Sequence, residues 1–387
     1  MLEAGDGKAM LEGVRIVDLT TVVFGPYCTQ LLADLGADVI KVEAKGGDAF
    51  RYAQKWRNTA GMGPGFLALN HSKKSVALNL KDEDDLAAIK RLLAEADVFV
   101  TNVRGKGLER LGLDEASVRA LSPDIVYAHC VGFAQDGPYA DLQAYDDVIQ
   151  ALSGTATLLP RVDGDPRARY LPSLIADKVA GQTAAYGVLG ALVHRLRTGE
   201  GQRIEIPMFE AFTSFMLQEH LGGLTFDPPN DTAGYARQVD PDRQPFPTSD
   251  GYISIVPYTG GAWDRVFAVL GDEDFLKDER FKDDIGRFTN VKFLYRRMAE
   301  LTPNFSTDEL ASLFQEVDIP AQPVRDLNDV MDDPHLRATG FFERVEHPTE
   351  GPLRIMRPPV RFGAQFKRNR PGAPTVGQHN DELKASK

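Results

Sequence analysis

Residues 11–43 read LEGVRIVDLTTVVFGPYCTQLLADLGADVIKVE. VRIVDL (14–19) is a short β-branched run, the signature of a buried strand. GPYCTQLLADLG (25–36) opens on Gly-Pro, sets Leu31, Leu32 and Leu35 on one helical face and stops at Gly36. DVIKVE (38–43) is a second strand. Strand, helix and strand in so short a span form a βαβ unit, whose strands lie parallel.

The same alternation continues downstream. SVALNL (75–80) and VFVTN (98–102) bracket DEDDLAAIKRLLAEA, whose acidic first turn suits the positive end of a helix dipole, and DIVYAHCVGF (124–133) supplies a further strand. The pattern predicts an α/β fold with a parallel sheet covered by helices. DDVIQALSG (from 146) then reads as a helix, GDPRARYLP as a polar loop, residues 176–197 as a long helix ending at Thr198-Gly199, and QRIEIP as another strand. The stretch 225–250 is rich in Pro, Asp and Gly without periodicity, the composition of a linker or binding loop. We place a domain boundary there, which gives a large domain over 1–224 and a smaller α+β domain over 225–330 that includes YISIV (252–256) and STDELASLFQEV (306–317). Residues 331–387 follow as a Pro/Gly-rich return segment.

Composition narrows the function. The 387 residues carry 44 Lys plus Arg against 56 Asp plus Glu, a net charge of −12, and no basic run marks a nucleic-acid or anionic-membrane partner. Two cysteines, Cys28 and Cys130, make neither a disulfide framework nor a CxxC site and fit a reducing cytosol. MLEAGDGKAM reads as a short extension without signal-peptide character, and no run of about 18 apolar residues marks a membrane span. The expectation is a cytoplasmic chain without nucleic-acid or membrane partners.

Motif chemistry is mostly negative. Glu43 stands where a dinucleotide-binding unit keeps its ribose acid, but TTVVFGPY carries one glycine in place of GxGxxG, so Glu43 reads better as a capping or core-edge carboxylate. Seven scattered histidines show no metal spacing, and neither GxSxG nor GxxxxGK[ST] is present. No metal and no permanently bound cofactor is expected. Asp177 has two readings. As the acid opening a long apolar helix it is ordinarily a cap; a carboxylate there also stays ionised when partly desolvated, as a nucleophile must.

Four ordered stretches together resemble the family III CoA transferases, a superfamily that also contains α-methylacyl-CoA racemases. They are residues 11–43, ADVFVTNVRGKGLERLGL, GFAQDGPYADLQAYDDVIQALSG and TGEGQRIEIPMFEA; PTSDGYISI and the C-terminal GQHNDEL extend the likeness. The resemblance implies a Rossmann-like large domain that takes in the C-terminal tail, a smaller domain, and an interlocked homodimer. It implies coenzyme A, as an acyl-CoA donor, and a small carboxylate acceptor. Asp177 in PSLIADKVAG matches the family's nucleophile, which forms an aspartyl anhydride and then an aspartyl-CoA thioester. Val22, Phe24, Ala44, Lys45, Asn102, Val103 and Arg110 match CoA-contacting positions, Lys45 more convincingly than Ala44, with Arg104 and Lys106 nearby. Arg104, Arg167, Arg169 and Arg237 are candidate clamps for a second carboxylate.

The chain also departs from its relatives. Tyr145 stands where racemases carry their histidine base; tyrosine, with a pKa near ~10 against ~6.5, is the poorer base, which favours transfer. Gly234 in TAGYARQ stands where formyl-CoA transferases carry a glycine run over the nucleophile, and Val23 where they carry glutamine, which points away from formyl-CoA and oxalate. Two alternatives to the transferase stay open: an acyl-CoA racemase or epimerase, and a non-catalytic CoA-ester binding protein.

Overall fold

The structure, a computed structural model, describes residues 8–258, 261–363 and 370–384; most of the expected N-terminal extension lies outside them. Six strands form one parallel sheet: β1 (Arg15–Leu19), β2 (Asp38–Glu43), β3 (Lys73–Ala77), β4 (Val98–Thr101), β5 (Val126–Val131) and β6 (Arg203–Pro207). Their spatial order is β3-β2-β1-β4-β5-β6, that of the doubly wound Rossmann fold. Val17 lies opposite both Ile40 and Phe99, and these side chains join Val42, Val76 and Tyr127 in a core completed by Ile89, Leu92 and Leu93.

The helices are α1 (Phe24–Asp34), α2 (Pro64–Asn70), α3 (Glu83–Ala94), α4 (Gly105–Leu111), α5 (Glu115–Leu121), α6 (Asp146–Leu152), α7 (Leu158–Asp163), α8 (Ile175–Thr198) and α9 (Met208–His220). The long α8 buries a face of small residues, Ala176, Ala180, Gly181, Ala184 and Ala185 among them, and so lies close on α1. At Gly181 a Cβ would come within 2.9 Å of the Phe24 carbonyl oxygen, so only glycine permits this approach.

Strand β3 begins two residues before the expected Ser75 and ends at Ala77 rather than residue 80. Lys73 reads as a surface residue, yet its ammonium is buried and donates to the Pro26 carbonyl (2.9 Å), Thr29 Oγ1 (2.8 Å) and Asn70 Oδ1 (2.9 Å), with Asp18 at 3.3 Å. A second buried pair joins Arg51 to Glu43 at 2.6 Å. Glu43 is thus a structural carboxylate.

The chain divides into two compact units, one of residues 1–156, 170–218 and 335–387 and the other of 157–169 and 219–334. The segment 157–169, placed by its sequence in the large domain, groups instead with the second unit, and the boundaries fall at 218/219 and 334/335 rather than 224/225 and 330/331. Polar loops bounded by glycine and proline give no periodicity from which such an excursion can be read. In the first unit the C-terminal segment covers the β3 edge: His379 Nδ1 and Asn380 Oδ1 accept from the Ser75 and Ala77 amides at 3.1 and 2.8 Å. An edge strand covered in this way cannot pair with another chain. The second unit has a small antiparallel sheet (Phe246–Pro247, Tyr252–Ile255, Ala321–Pro323) and an aromatic core including Trp263, Phe267, Phe281, Tyr295 and Phe314. Its helix Thr307–Glu316 starts at a capping box of Ser306 and Glu309.

Candidate active site

Strand order reverses between β1 and β4, and in an open parallel sheet the crevice beyond the strand ends at such a point is the natural binding site. A cleft of about 870 Å³ opens there, within the first unit. It is lined by the segments following β1 and β4, the end of β5 with the segment that follows it, Met208 after β6, and the first turn of α8. Val22, Phe24, Asn102, Val103, Arg104, Arg110, Tyr145 and Asp177 all line it.

Asp177 sits in the first turn of α8 and is only 7% exposed. It is not the cap. That task falls to Asp146, whose Oδ1 accepts from the Ala176 and Asp177 amides at 2.7 and 3.2 Å. Asp146 is buried, and its Oδ2 accepts from Gln150 Nε2 at 2.6 Å; Gln150 in turn accepts the Leu171 amide at 2.8 Å, which fixes the chain entering α8. The Asp177 carboxyl is left to the cleft, which it lines together with Phe24, the first residue of α1. Burial, reinforced by the neighbouring Asp146 charge and opposed by the nearby Phe24 backbone, raises the Asp177 pKa from 3.8 to about 7. The arrangement yields a carboxyl between two helix N-termini, more basic than an ordinary aspartate and only about half ionised at neutral pH, so burial outweighs the helix-end charge expected to keep it ionised.

The other cleft residues divide by what they already hold. The Asn102 side chain accepts from the Thr21 amide at 3.2 Å and donates to the Thr21 carbonyl at 3.0 Å, so it clamps the β1–α1 turn. The Val103 carbonyl accepts from His129 Nε2 at 2.9 Å, and burial lowers the pKa of that imidazole. Arg104 and Arg110 are exposed cations at the cleft wall; Lys106 pairs with Asp141 at 2.9 Å. Tyr145, 61% exposed, precedes α6 at the rim.

Three expectations are not brought to this cleft. Lys45 pairs with Asp85 at 3.0 Å, because the chain turns away after β2, and its exposed neighbour Ala44 does not line the cleft either. Gly234 belongs to the second unit, at φ +123°, with its amide on the His220 carbonyl at 2.8 Å. Of the four candidate arginine clamps only Arg104 lines the cleft: Arg169 pairs with Asp163 at 2.7 Å, Arg167 lies beside Asp165, and Arg237 stacks on Tyr258 at 3.6 Å. Sequence reasoning missed Asp146 and Asp48. The only trace of Asp146 is the Asp-Asp pair opening α6, and the role of Asp48, described below, leaves none. Among the described residues no His/Cys/Asp/Glu group is arranged to hold a metal, and no helix is long and apolar enough to cross a membrane.

Known proteins share this architecture over the whole chain. The succinate–glutarate CoA-transferase of Agrobacterium fabrum is 28% identical, with 100% of this chain and 97% of the relative aligned. The succinyl-CoA:glutarate CoA-transferase of Mus musculus is 31% identical, covering 98% of this chain and 86% of the relative. A crystal structure of a CAIB/BAIF family protein from Brucella suis superposes with a TM-score of 0.84 at 29% identity, covering 98% of this chain and 99% of that one. The family model for CoA-transferase family III matches residues 11–380. With a Rossmann sheet, a switch-point cleft and relatives that move CoA between acids, the chain belongs to CoA-transferase family III and is a transferase.

Proposed function

We propose that the protein transfers CoA between small carboxylic acids, with Asp177 as nucleophile and acyl-CoA lying along the switch-point cleft. The observation that carries this reading is the Asp177 carboxyl itself: buried, relieved of capping by Asp146, and lining the switch-point cleft beside Phe24. Ionised Asp177 attacks the thioester carbonyl of the donor, forming a mixed anhydride and releasing CoA thiolate. The thiolate attacks the aspartyl carbonyl and expels the donor carboxylate, leaving an aspartyl-CoA thioester. The acceptor carboxylate then attacks that thioester to form a second anhydride, and the returning thiolate attacks the acceptor's carbonyl, producing the new acyl-CoA and free Asp177. In the two steps that attack the aspartyl carbonyl, its oxygen becomes an oxyanion, which the N-terminus of α1 beside it in the cleft would stabilise.

Arg104 and Arg110 supply charge for the anionic substrates; Val22 and Val103 supply wall. The relatives named for succinate, glutarate and mesaconate support dicarboxylic acids as donor and acceptor. We further propose a cytosolic homodimer: Cys28 and Cys130 are buried free thiols, and α8 leaves Tyr186, Val193 and Leu196 exposed for a second copy to cover.

The test is peptide-resolved mass spectrometry after incubation with a panel of short acyl-CoAs, succinyl-CoA included, without acceptor and in heavy water. A CoA adduct on the Asp177 peptide is expected. Deuterium at the substrate α-carbon without an adduct would replace this reading with proton transfer, for which Tyr145 at the rim is the available group.

A further inference from the structure

The turn between β1 and α1, residues 20–24, is held more tightly than a connecting loop requires. Val22 sits at φ +71°, in the left-handed region that a β-branched residue avoids. Such a residue persists only where its surroundings over-determine it. Here each neighbouring group is pinned by a different element. The Thr20 hydroxyl donates to Asp18, and the Thr20 carbonyl accepts from Lys41 Nζ at 2.8 Å. Asn102, at the end of β4, grips Thr21 by both its amide and its carbonyl. The Val22 amide donates to Asp48, 3.1 Å from Oδ1 and 3.3 Å from Oδ2, and Asp48 is fixed by a buried ion pair with Lys41 at 2.9 Å. Two residues on, Phe24 lines the same cleft as Asp177, and its carbonyl oxygen lies against Gly181 of α8, so the start of α1 sits directly beside the nucleophile's helix.

We propose that Asn102 and Asp48 are positioning residues, which hold Val22 in its strained conformation so that Phe24 and the N-terminus of α1 keep their place beside the Asp177 carboxyl. If Val22 relaxes to negative φ, the peptide planes on both sides of it rotate and the start of α1 is displaced from Asp177. Asn102 therefore acts on the reaction through the turn, beyond any contact it makes with CoA. Asp48 and Lys41 are both fully buried, so they resist the relaxation from beneath, while Asn102 resists it from the cleft side.

This inference rests on the aspartyl reading above, and the experiment separates the two. The adduct assay is run as a single turnover at saturating acyl-CoA, across pH, on the wild type, Asn102→Ala, Val22→Gly and the double variant. An adduct in the wild type establishes the nucleophile; its absence sinks the aspartyl reading and this inference with it. In Asn102→Ala the rate of adduct formation is expected to fall at least tenfold, with the acid limb of its pH profile moved upward because the carboxylate has lost the favourable N-terminus of α1. Glycine tolerates φ +71° without strain, so Val22→Gly placed in the Asn102→Ala background is expected to recover most of that loss. A side chain that only contacts CoA would raise the acyl-CoA concentration needed for saturation, leave the saturated rate and the acid limb in place, and gain nothing from the glycine. That outcome, or a double variant no faster than Asn102→Ala, overturns the proposal. Should Asn102→Ala not fold, Asn102→Asp carries the same comparison, since it keeps an acceptor for the Thr21 amide and sets a carboxylate against the Thr21 carbonyl.

Discussion

Replacing Asp146 by asparagine separates the two effects of that residue on Asp177. The asparagine Oδ1 can still accept the Ala176 and Asp177 amides, now at 2.7 and 3.2 Å, so the α8 cap persists while the charge is gone. The rise of the Asp177 pKa from 3.8 to about 7 corresponds to about 4 kcal/mol in favour of the protonated acid. Burial is the larger cause and the Asp146 charge the second, with the Phe24 backbone opposing both, so the charge supplies at most half of the combined upward push. Two like charges about 6 Å apart at an effective dielectric near 20 repel by about 3 kcal/mol, and solvent in the open cleft reduces this further. The acid limb of kcat/KM is therefore expected to move down by roughly one pH unit in Asp146→Asn, with the alkaline plateau retained within several-fold. The substitution also turns an NH₂ toward Gln150 Nε2, where a 2.6 Å bond is now made, and lowers stability by about 1–2 kcal/mol. The assay is the pH dependence of CoA transfer alongside denaturant unfolding at each pH. An acid limb that stays in place, or moves up, refutes the reasoning.

Three further outcomes follow from the same geometry. A carboxyl whose folded pKa is raised contributes stability that is fully present below pH 3.8 and lost as pH rises through about 7; Asp177→Asn is therefore expected to be more stable than the wild type at pH 8 by up to about 4 kcal/mol and to lose that advantage toward pH 4, both read by unfolding midpoints, while mass spectrometry finds no adduct. Gly181→Ala sets a methyl 2.9 Å from the Phe24 carbonyl oxygen and 3.0 Å from the Tyr27 ring, so α8 must shift off α1; a displacement of this kind is expected to cost about tenfold or more in kcat, and an unchanged kcat in a folded variant would refute the claimed tightness. Arg51→Met strands Glu43 in the core and is expected to cost about 3–5 kcal/mol in urea unfolding, whereas a loss under about 1 kcal/mol would show that the pair is dispensable.

The elements legible in the sequence were those whose burial follows from apolar pattern. DVIKVE (38–43) is wholly strand β2, and α8 begins and ends within a residue of its expected 176–197. The pattern fails where charge is buried. The apolar run that marks β3 begins only at Ser75, while the strand itself begins at Lys73, whose ammonium is buried by Asp18, Thr29 and Asn70 from three other segments. Asp146 and Asp48 are invisible for the same reason: each acts through backbone amides about 30 residues away in the chain, at Ala176 and Val22, and only the tertiary structure brings them there. The strand-end positions Val22, Phe24, Asn102 and Val103 were legible through family likeness, and the switch point gathers them into one cleft. Lys45 and Gly234 were matched on the same likeness, but one turns to Asp85 and the other lies in the second unit.

The raised pKa of Asp177 bears on direction as well as on ionisation. On the proposed route each anhydride joins Asp177 to a substrate acid, and the CoA thiolate can attack either carbonyl. Attack at the substrate carbonyl yields that substrate's acyl-CoA and expels the aspartate; attack at the aspartyl carbonyl expels the substrate carboxylate and yields aspartyl-CoA, which is forward from the first anhydride and backward from the second. The better leaving group is the weaker base, and an ordinary carboxylate near pKa ~4 leaves more readily than Asp177 near about 7. The N-terminus of α1, beside Asp177 in the cleft, adds to this bias toward aspartyl-CoA, because negative charge develops on the aspartyl oxygen only in attack at the aspartyl carbonyl. Burial of Asp177, the Asp146 charge and the β1–α1 turn thus act on one partition, and removing the Asp146 charge should reduce the steady-state fraction of aspartyl-CoA even at a pH where Asp177 is fully ionised.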